Sequence, residues 1–435
     1  MKLRLSGLTA GLLLAFTSHA QTPAVPAPSV TVLKAAHLFD GRSGNLTSPG
    51  LVVVQGTKIL AVGANADVPV DAKVIELGEA TLVPGYIDAH THIAYDYNEN
   101  WAQGFYEGML RFPVEQSLHA ARNARATLRA GVTSAREVGA GDFIDVALRN
   151  AINGGIAEGP RMLVAGNSLG STGGHCDSSP FPPERVKPSG PLQGVCNGPE
   201  QCREATRLQM KYGADLIKIC ASGGVLSESD PVDVPQLTPE ELRAIIGEAH
   251  HWNRKVAAHS HGDLAAKLAV EAGVDSIEHG SFLTTPTLQL MKQKGVYLVP
   301  TRMTQVWVLD KADTYPPKIG AKARAAGAAH SIMFKNALKI GTPIAFGTDA
   351  AVYPHGINAQ EFGDMVELGM TPSAALLSSS QGSAKLLGID AETGTLEAGK
   401  LADIVAVPGD VLQNIRATEK PLLVMKQGVV VKAAD

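Results

Sequence analysis

Two histidines that stand two positions apart, His90 and His92, end an apolar run in the segment Pro-Gly-Tyr-Ile-Asp-Ala-His-Thr-His at residues 84–92. Side chains alternate between the two faces of an extended strand, so both imidazoles project to the same side and could bind one cation. A His-x-His pair alone also arises by chance on a wet strand face. The pair becomes informative because further residues of metal-ligand type occupy later apolar runs.

These later residues lie in four separate segments. Lys218 stands within Asp215-Leu-Ile-Lys-Ile-Cys220, while His259, His279 and Asp349 each end an apolar run. A single histidine at a strand end is often structural, and an aspartate there can cap a helix. A lysine that points into a barrel, however, must have its charge compensated or removed. Together with the first pair, these residues predict a metal-dependent hydrolase.

The elements that must position these residues alternate between strand-like apolar runs and amphipathic helical stretches. Eight such units favour a (β/α)8 barrel over an open doubly wound sheet, which usually has fewer strands and a glycine-rich first turn. Active sites of such barrels form where the strands end, as the candidate ligands do here. One helix start is clear, since Thr238 precedes a proline and a capping-box glutamate. The predicted strands are 82–90, 132–138, 161–166, 216–222, 255–261, 276–280, 296–301 and 343–348.

Short β-rich runs also occur towards both ends of the chain, in residues 30–82 and 395–435. Turn residues separate these runs, and we expect the two ends to build one small β-domain together. The barrel would then occupy residues 83–394. The predicted fold class is therefore α/β: a (β/α)8 TIM barrel with a small β-sandwich domain built from both chain ends.

The first 20 residues have the pattern of a secretory signal peptide. Lys2 and Arg4 precede an apolar core, and Ser18-His19-Ala20 reads as a cleavage site. The core is too short for a membrane-spanning helix, which needs about 20 apolar residues. We expect an exported protein, periplasmic or secreted, with a Pro/Ala-rich leader at residues 21–29 and no membrane contact after cleavage.

Composition narrows the class of partner. Hydrophobic residues make up 45% of the chain, which is ample for a buried core and argues against disorder. The net charge of −4 and the lack of a basic cluster make nucleic acid and anionic membrane surfaces poor partners. A small-molecule substrate fits better.

The four cysteines can be oxidised in an exported protein. Cys196 is expected to pair with either Cys176 or Cys202, and Cys220 is predicted to be a core residue of its strand. A cysteine zinc site is disfavoured because no spacing is Cys-x-x-Cys. The proline-rich loop 167–198 is expected to shape the substrate pocket, with a flexible surface insertion as the alternative.

The 84–92 segment and the segment Gly394-Thr-Leu-Glu-Ala-Gly-Lys-Leu-Ala-Asp403 resemble the amidohydrolase superfamily, specifically its binuclear members with a carboxylated lysine. The resemblance covers roughly residues 30–432. It implies two divalent metal ions, for which zinc is the expected identity. One ion would be held by His90, His92 and Asp349, the other by His259 and His279, and Lys218, N6-carboxylated, would bridge both.

Two such ions, ~3.5–4 Å apart, would share a water, lower its pKa and polarise a carbonyl. By the same resemblance Asp349 would take the proton of this water and pass it to the leaving amine. The predicted activity is hydrolysis of an amide or peptide bond to a C-terminal amino acid by the resulting hydroxide.

Gly173-Gly-His175, the Lys218 segment and His259-Ser-His-Gly262 are similar to the prolidase-like branch of that superfamily. This branch contains Xaa-Pro and Xaa-Arg dipeptidases, carboxypeptidases and ochratoxin-hydrolysing amidases, and it implies a homo-oligomer. His175 could hydrogen-bond the scissile carbonyl or be an uninvolved loop residue. His261 could contact substrate or pair with a carboxylate. Arg302 is the candidate partner of a substrate carboxylate, with a surface ion pair as the alternative.

Two other functions remain open. A deaminase or cyclic amidohydrolase of the imidazolonepropionase type shares the opening motif but lacks the bridging lysine, so Lys218 favours the amidase. An exported solute-binding or scaffold protein could keep the barrel and lose activity. The presence of all six predicted ligands argues against that loss.

Overall fold

The computed structural model describes residues 30–177, 182, 184–228 and 230–433, so the predicted signal peptide and leader lie outside the described residues. Its strands are β1 (Val30–Ala35), β2 (His37–Phe39), β3 (Leu46–Thr47), β4 (Gly50–Gln55), β5 (Lys58–Val62), β6 (Lys73–Glu76), β7 (Ala80–Pro84), β8 (Tyr86–Thr91), β9 (Val132–Glu137), β10 (Arg161–Val164), β11 (Leu216–Cys220), β12 (Lys255–Ser260), β13 (Ser276–His279), β14 (Tyr297–Val299), β15 (Ile404–Pro408), β16 (Leu423–Lys426) and β17 (Val429–Lys432).

The α-helices fall mainly between the central strands. They are α1 (Trp101–Leu110), α2 (Pro113–Arg129), α3 (Ile144–Asn153), α4 (Pro199–Lys211), α5 (Pro239–His251), α6 (Asp263–Ala272), α7 (Thr285–Lys294), α8 (Arg302–Asp310), α9 (Pro317–Ile340), α10 (Gln360–Glu367), α11 (Pro372–Leu377) and α12 (Ser383–Leu387). The capping box predicted at Thr238 is present, since its side chain accepts from the backbone N–H of Glu241. Within the described residues, no helix has the length and apolar character of a membrane crossing.

Strands β8 to β14 pair in parallel and form most of a barrel wall, in two sheets ordered β10-β9-β8 and β11-β12-β13-β14. The gap between β10 and β11 is bridged by Leu169, whose N–H donates to the Lys218 carbonyl at 2.8 Å. Parallel strands with helical crossovers carry their side-chain chemistry at one common edge, which is the arrangement the site requires.

The eighth predicted strand, 343–348, is an irregular extended segment that closes the barrel between β14 and β8. The Ala345 N–H donates to the Leu298 carbonyl at 3.0 Å, and the Ala89 N–H donates to the Phe346 carbonyl at 2.8 Å. Pro343 has no N–H to donate, and the N–H of Thr348 is shared between the His90 carbonyl and the Asp88 carboxylate, each at 3.1 Å. A continuous ladder is therefore interrupted although the barrel still closes.

The first predicted strand, 82–90, is in fact two strands divided at Gly85. β7 pairs antiparallel with β15 in the small domain, whereas β8 enters the barrel. A Cβ at Gly85 would lie 2.2 Å from Oγ1 of Thr133, so only glycine permits this close crossing. The apolar run is continuous because both strands are buried, which hides the division from the sequence.

The small domain contains strands from both chain ends. Its two sheets have the orders β5-β4-β1-β6 and β17-β16-β15-β7-β2-β3. Buried apolar side chains of the first sheet, such as Leu33 and Val52, pack against those of the second, such as Leu82, Ile404 and Met425. This interior is a β-sandwich core of the predicted kind.

Two disulfides fasten the loop between β10 and α4. Cys196 bonds to Cys202, one of the expected pairings, and Cys176 bonds to Cys220. The prediction that Cys220 is a simple core residue is therefore wrong. The loop folds back along the barrel through the parallel bridge of Leu169 with β11, which brings Cys176 beside the end of that strand. With all four cysteines bonded, none is left to bind zinc as a thiolate.

Candidate metal centre

A cavity of about 510 Å³ opens at the carboxyl ends of the barrel strands. Its lining includes five of the six predicted metal ligands; His90, the sixth, is fully buried beneath it. Loop 167–198 contributes lining residues as well, among them His175 and Gln193. The chain therefore brings the dispersed candidates to one place, and the loop shapes the cavity as expected. The five lining candidates are His92, Lys218, His259, His279 and Asp349.

The first cluster consists of His90, His92 and Asp349, whose ligand-type atoms lie within 4.8 Å of one another. Oδ1 of Asp349 is 3.3 Å from Nε2 of His90 and 3.4 Å from Nε2 of His92. Nε2 of His90 is buried and makes no hydrogen bond within the described part of the chain. An orphaned imidazole nitrogen beside a carboxylate suits a divalent cation.

In both His90 and His92, Nδ1 makes a hydrogen bond as the donor, and Nε2, the candidate ligand atom, therefore keeps its lone pair. Nδ1 of His90 donates to Glu278 at 2.7 Å, and Nδ1 of His92 donates to the Gly139 carbonyl at 3.2 Å. Carboxylate and carbonyl oxygens accept only, so both rings carry their proton on Nδ1. Burial also lowers the pKa of His92 to about 3 and keeps it neutral, the form that binds metals.

Glu278 is a buried residue of the site that the sequence analysis missed. Its carboxylate is fully buried and accepts from His90 and, at 2.8 Å, from Arg136. Burial opposes its ionisation, but the charge of Arg136 and the bond from His90 outweigh this and lower its pKa to about 2. Glu278 directly precedes the ligand candidate His279 on β13, and this adjacency is the sequence feature that could have identified it.

We expect Glu278→Gln to weaken metal binding by about 10–100-fold, because an uncharged amide orients His90 less firmly and leaves Arg136 buried without its counter-charge. Titration against a competing chelator would measure the change. Glu271→Gln on α6, where the carboxylate is 49% exposed, is the matched control. Unaltered metal affinity in Glu278→Gln would contradict the orienting role.

The second cluster consists of His259, His261 and His279, whose ligand-type atoms also lie within 4.8 Å of one another. Nε2 of His259 donates to the Gly223 carbonyl at 3.2 Å, which leaves Nδ1 as its acceptor. Nδ1 of His279 lies 2.8 Å from the Thr301 hydroxyl, which itself donates to the Pro300 carbonyl. The hydroxyl must therefore accept from His279, and Nε2 keeps its lone pair. Burial lowers the pKa of both histidines well below the usual value.

Backbone conformation at the site is strained in three places. His279, Thr301 and Asp349 have φ values of 69°, 49° and 60°, in the left-handed region that non-glycine residues seldom adopt. Such strain persists only where surrounding contacts enforce it, and it is typical of functional sites. Two of the three strained residues, His279 and Asp349, are ligand candidates. The third, Thr301, carries the hydroxyl that orients His279.

Lys218 lies on β11 and is 3% exposed, and its charge acts on His92 of the first cluster and on His259 and His279 of the second. Burial lowers the pKa of its amine to about 8, and the nearby carboxylates of Glu278 and Asp349 only partly oppose this. A larger share of neutral amine is the physical requirement for reaction with CO₂. Asp349 behaves oppositely: burial raises its pKa, but His90, His92 and Lys218 outweigh burial and hold it below the usual value.

His175 enters the cavity from the disulfide-fastened loop. Its ring stacks on His259 with centroids 4.3 Å apart, and Nδ1 lies 3.3 Å from the Ser227 hydroxyl. That hydroxyl donates to Asp230, so it accepts from His175 and leaves Nε2 as the acceptor of the ring. The predicted hydrogen bond to the scissile carbonyl would need a proton on Nε2, whereas burial lowers the pKa of His175 to about 4.

The structure does not bring Arg302 to this cavity. It is the first residue of α8, and its backbone N–H donates to Glu361 at 2.8 Å. Its guanidinium is half-buried near Glu361, Asp364 and Glu367, away from the lining residues. His261, by contrast, stacks on His279 and lines the cavity.

Comparison with known proteins finds a family model and relatives that match most of this chain. Residues 81–431 match the model of the amidohydrolase family. Ochratoxinase of Aspergillus niger is 34% identical over 414 residues, which cover 90% of this chain and 84% of the relative. A crystal structure of a Xaa-Pro dipeptidase with bound methionine in the active site aligns with a TM-score of 0.89 at 37% identity, over 92% of this chain and 99% of that one.

Support for the imidazolonepropionase alternative is weaker. The imidazolonepropionase of Symbiobacterium thermophilum is 24% identical over 377 residues, or 82% of this chain and 83% of the relative. The family match, with its ochratoxinase and Xaa-Pro dipeptidase relatives, agrees with the ligand-type clusters at the barrel mouth. The chain belongs to the amidohydrolase family, in its prolidase-like branch.

Proposed function

We propose that this protein is a binuclear metal-dependent amidase that hydrolyses the bond between an acyl group and a C-terminal amino acid. The observation that carries the proposal is the convergence of two ligand-type clusters and buried Lys218 at one cavity. Relatives named for ochratoxin and Xaa-Pro dipeptide hydrolysis support the substrate class.

The residues present fit two divalent ions, for which we propose zinc. His90, His92 and Asp349 would hold one ion, His259 and His279 the other, with His261 beside the second, and Lys218 would join both as a carbamate. The fixed tautomers and the orphaned Nε2 of His90 support this assignment. When bound, the ions would supply Lewis acidity that activates water and polarises the scissile carbonyl.

Side chains of the protein then bind the substrate and transfer the protons. Asp349, held ionised beside His90 and His92, accepts the proton of the attacking water and returns it to the leaving nitrogen. His175 offers its Nε2 as an acceptor to the substrate N–H, because Ser227 and Asp230 fix the proton on Nδ1.

Metal content and chelation test the function directly. Purified protein is expected to contain about two metal ions per chain and to hydrolyse members of an N-acyl amino acid panel, with activity lost on chelation and restored by zinc. Elemental analysis and release of the free amino acid are the two measurements. One ion per chain with no amide cleavage would instead favour a deaminase-type reaction.

Export is proposed on separate grounds. Two disulfides form in the described part of the chain, and such bonds persist in oxidising compartments outside the cytosol. They support the periplasmic or secreted location that the leader pattern of residues 1–20 predicts.

A further inference from the structure

A second cavity of about 380 Å³ adjoins the metal centre. Four residues line both cavities: His92, Tyr95, Leu226 and Val352. Since His92 belongs to the first ligand cluster, a substrate held at the metal centre can extend directly into the second cavity.

Four of the residues that line the second cavity are aromatic, namely Tyr95, Tyr97, Phe105 and Tyr315, and two, Asp96 and Glu99, are acidic. Lys311 supplies a cation among these lining residues. Asp96 is already paired with Arg111 and Arg122, both at 2.8 Å. An aromatic wall with one cation suits a ring that bears a negative charge.

Lys311 is fixed in position by a hydrogen bond, but its only carboxylate partner among the described residues is an exposed glutamate. Nζ donates to the Tyr97 hydroxyl at 2.6 Å and lies 5.4 Å from the ring centroid of Trp307. Its carboxylate partner, Glu99, is 3.5 Å away and 88% exposed. Such an exposed pair contributes little, so a substrate anion could replace Glu99 at low cost.

The other cations near the site do not present their charge to the second cavity. Nζ of Lys322 donates to the backbone carbonyls of Gly224, Ser227 and Asp230. Arg302 does not line either cavity, and Lys218 lines the first cavity but not the second. Among the described lining residues, Lys311 is therefore the cation left for a substrate group.

We propose that the second cavity is a subsite for an aromatic carboxylate group of the substrate, with the carboxylate on Lys311 and the ring among Tyr95, Tyr97 and Tyr315. The inference rests on the proposed function only in placing the amide bond at the neighbouring metal centre. It assigns to Lys311 the anion-binding role that the sequence suggested for Arg302.

Calorimetric titration of the metal-loaded protein with 3-phenylpropionate and with its neutral amide tests the subsite. Lys311→Met keeps most of the apolar stem but removes the charge. It is expected to weaken 3-phenylpropionate binding about tenfold or more and to leave binding of the amide unaltered. Lys318→Met, at an exposed lysine of α9, is the matched control and should change neither. Tryptophan fluorescence should respond to the acid through Trp307 and lose that response in Trp307→Phe.

Absence of 3-phenylpropionate binding to the wild type, or equal affinity in the wild type and Lys311→Met, would overturn the subsite. Hydrolysis of the N-acyl amino acid panel is measured on the same samples. A protein that binds through Lys311 but cleaves no amide keeps the subsite and refutes the amidase. One that cleaves amides with no dependence on Lys311 keeps the amidase and refutes the subsite.

Discussion

Asp349→Asn is expected to lower kcat for amide hydrolysis by about 10³-fold, because the amide cannot take a proton from water and return it to the leaving nitrogen. The substitution keeps the size of the side chain and one oxygen near His90 and His92. Steady-state hydrolysis of the best panel substrate is the measurement, with metal content determined on the same preparation.

The control for this variant is Asp313→Asn, since the Asp313 carboxylate is 97% exposed on the surface. Both variants should melt as the wild type does, which shows that the barrel is folded. A metal-loaded Asp349→Asn protein with activity within tenfold of the wild type would exclude Asp349 as the proton carrier.

Lys218→Ala is the second large effect expected. Alanine cannot form a carbamate, so the protein should lose the shared ligand, bind fewer than two ions and have no measurable hydrolysis. Elemental analysis and the hydrolysis assay measure both consequences. Intact mass spectrometry of the wild type under native conditions should detect a CO₂ adduct that the variant lacks.

Lys318→Ala on the surface of α9 serves as the comparison. A barrel that still melts cooperatively is expected in both variants, because replacing a buried amine by a methyl group removes a desolvated polar group. Two ions and undiminished hydrolysis in Lys218→Ala would refute the bridging role.

The barrel, the family branch and the amide-hydrolysing activity class are predictable from the sequence, and the comparisons confirm them. The six candidate ligand positions were predicted because each chemically unusual residue interrupts or ends an apolar run. Strand alternation and the common edge of parallel strands then suffice to bring them together, without any knowledge of loop paths.

The features that could not be predicted from the sequence depend on contacts between distant segments. Glu278 supports His90 across 188 positions, and Cys176 meets Cys220 across 44. The division at Gly85 depends on a close approach of Thr133 from the next strand. Such pairings are set by how the loops return to the barrel, which local periodicity does not encode.

The binding of a substrate carboxylate that was predicted for Arg302 also depends on the path of the chain, which the sequence does not show. A charged residue just beyond a strand can turn into the barrel mouth or outward, and the φ of 49° at Thr301 determines the path at this point. The chain starts α8 immediately afterwards, and Lys311 near the other end of that helix lines the second cavity instead.

The disulfide between Cys176 and Cys220 makes the geometry of the cavity depend on the redox state of two cysteines. One end lies next to His175 and the other two residues beyond Lys218, so it ties a substrate-facing loop to the strand that carries the central lysine. Reduction of this bond would release the loop from β11, so the position of His175 relative to Lys218 depends on the oxidation state of the two cysteines.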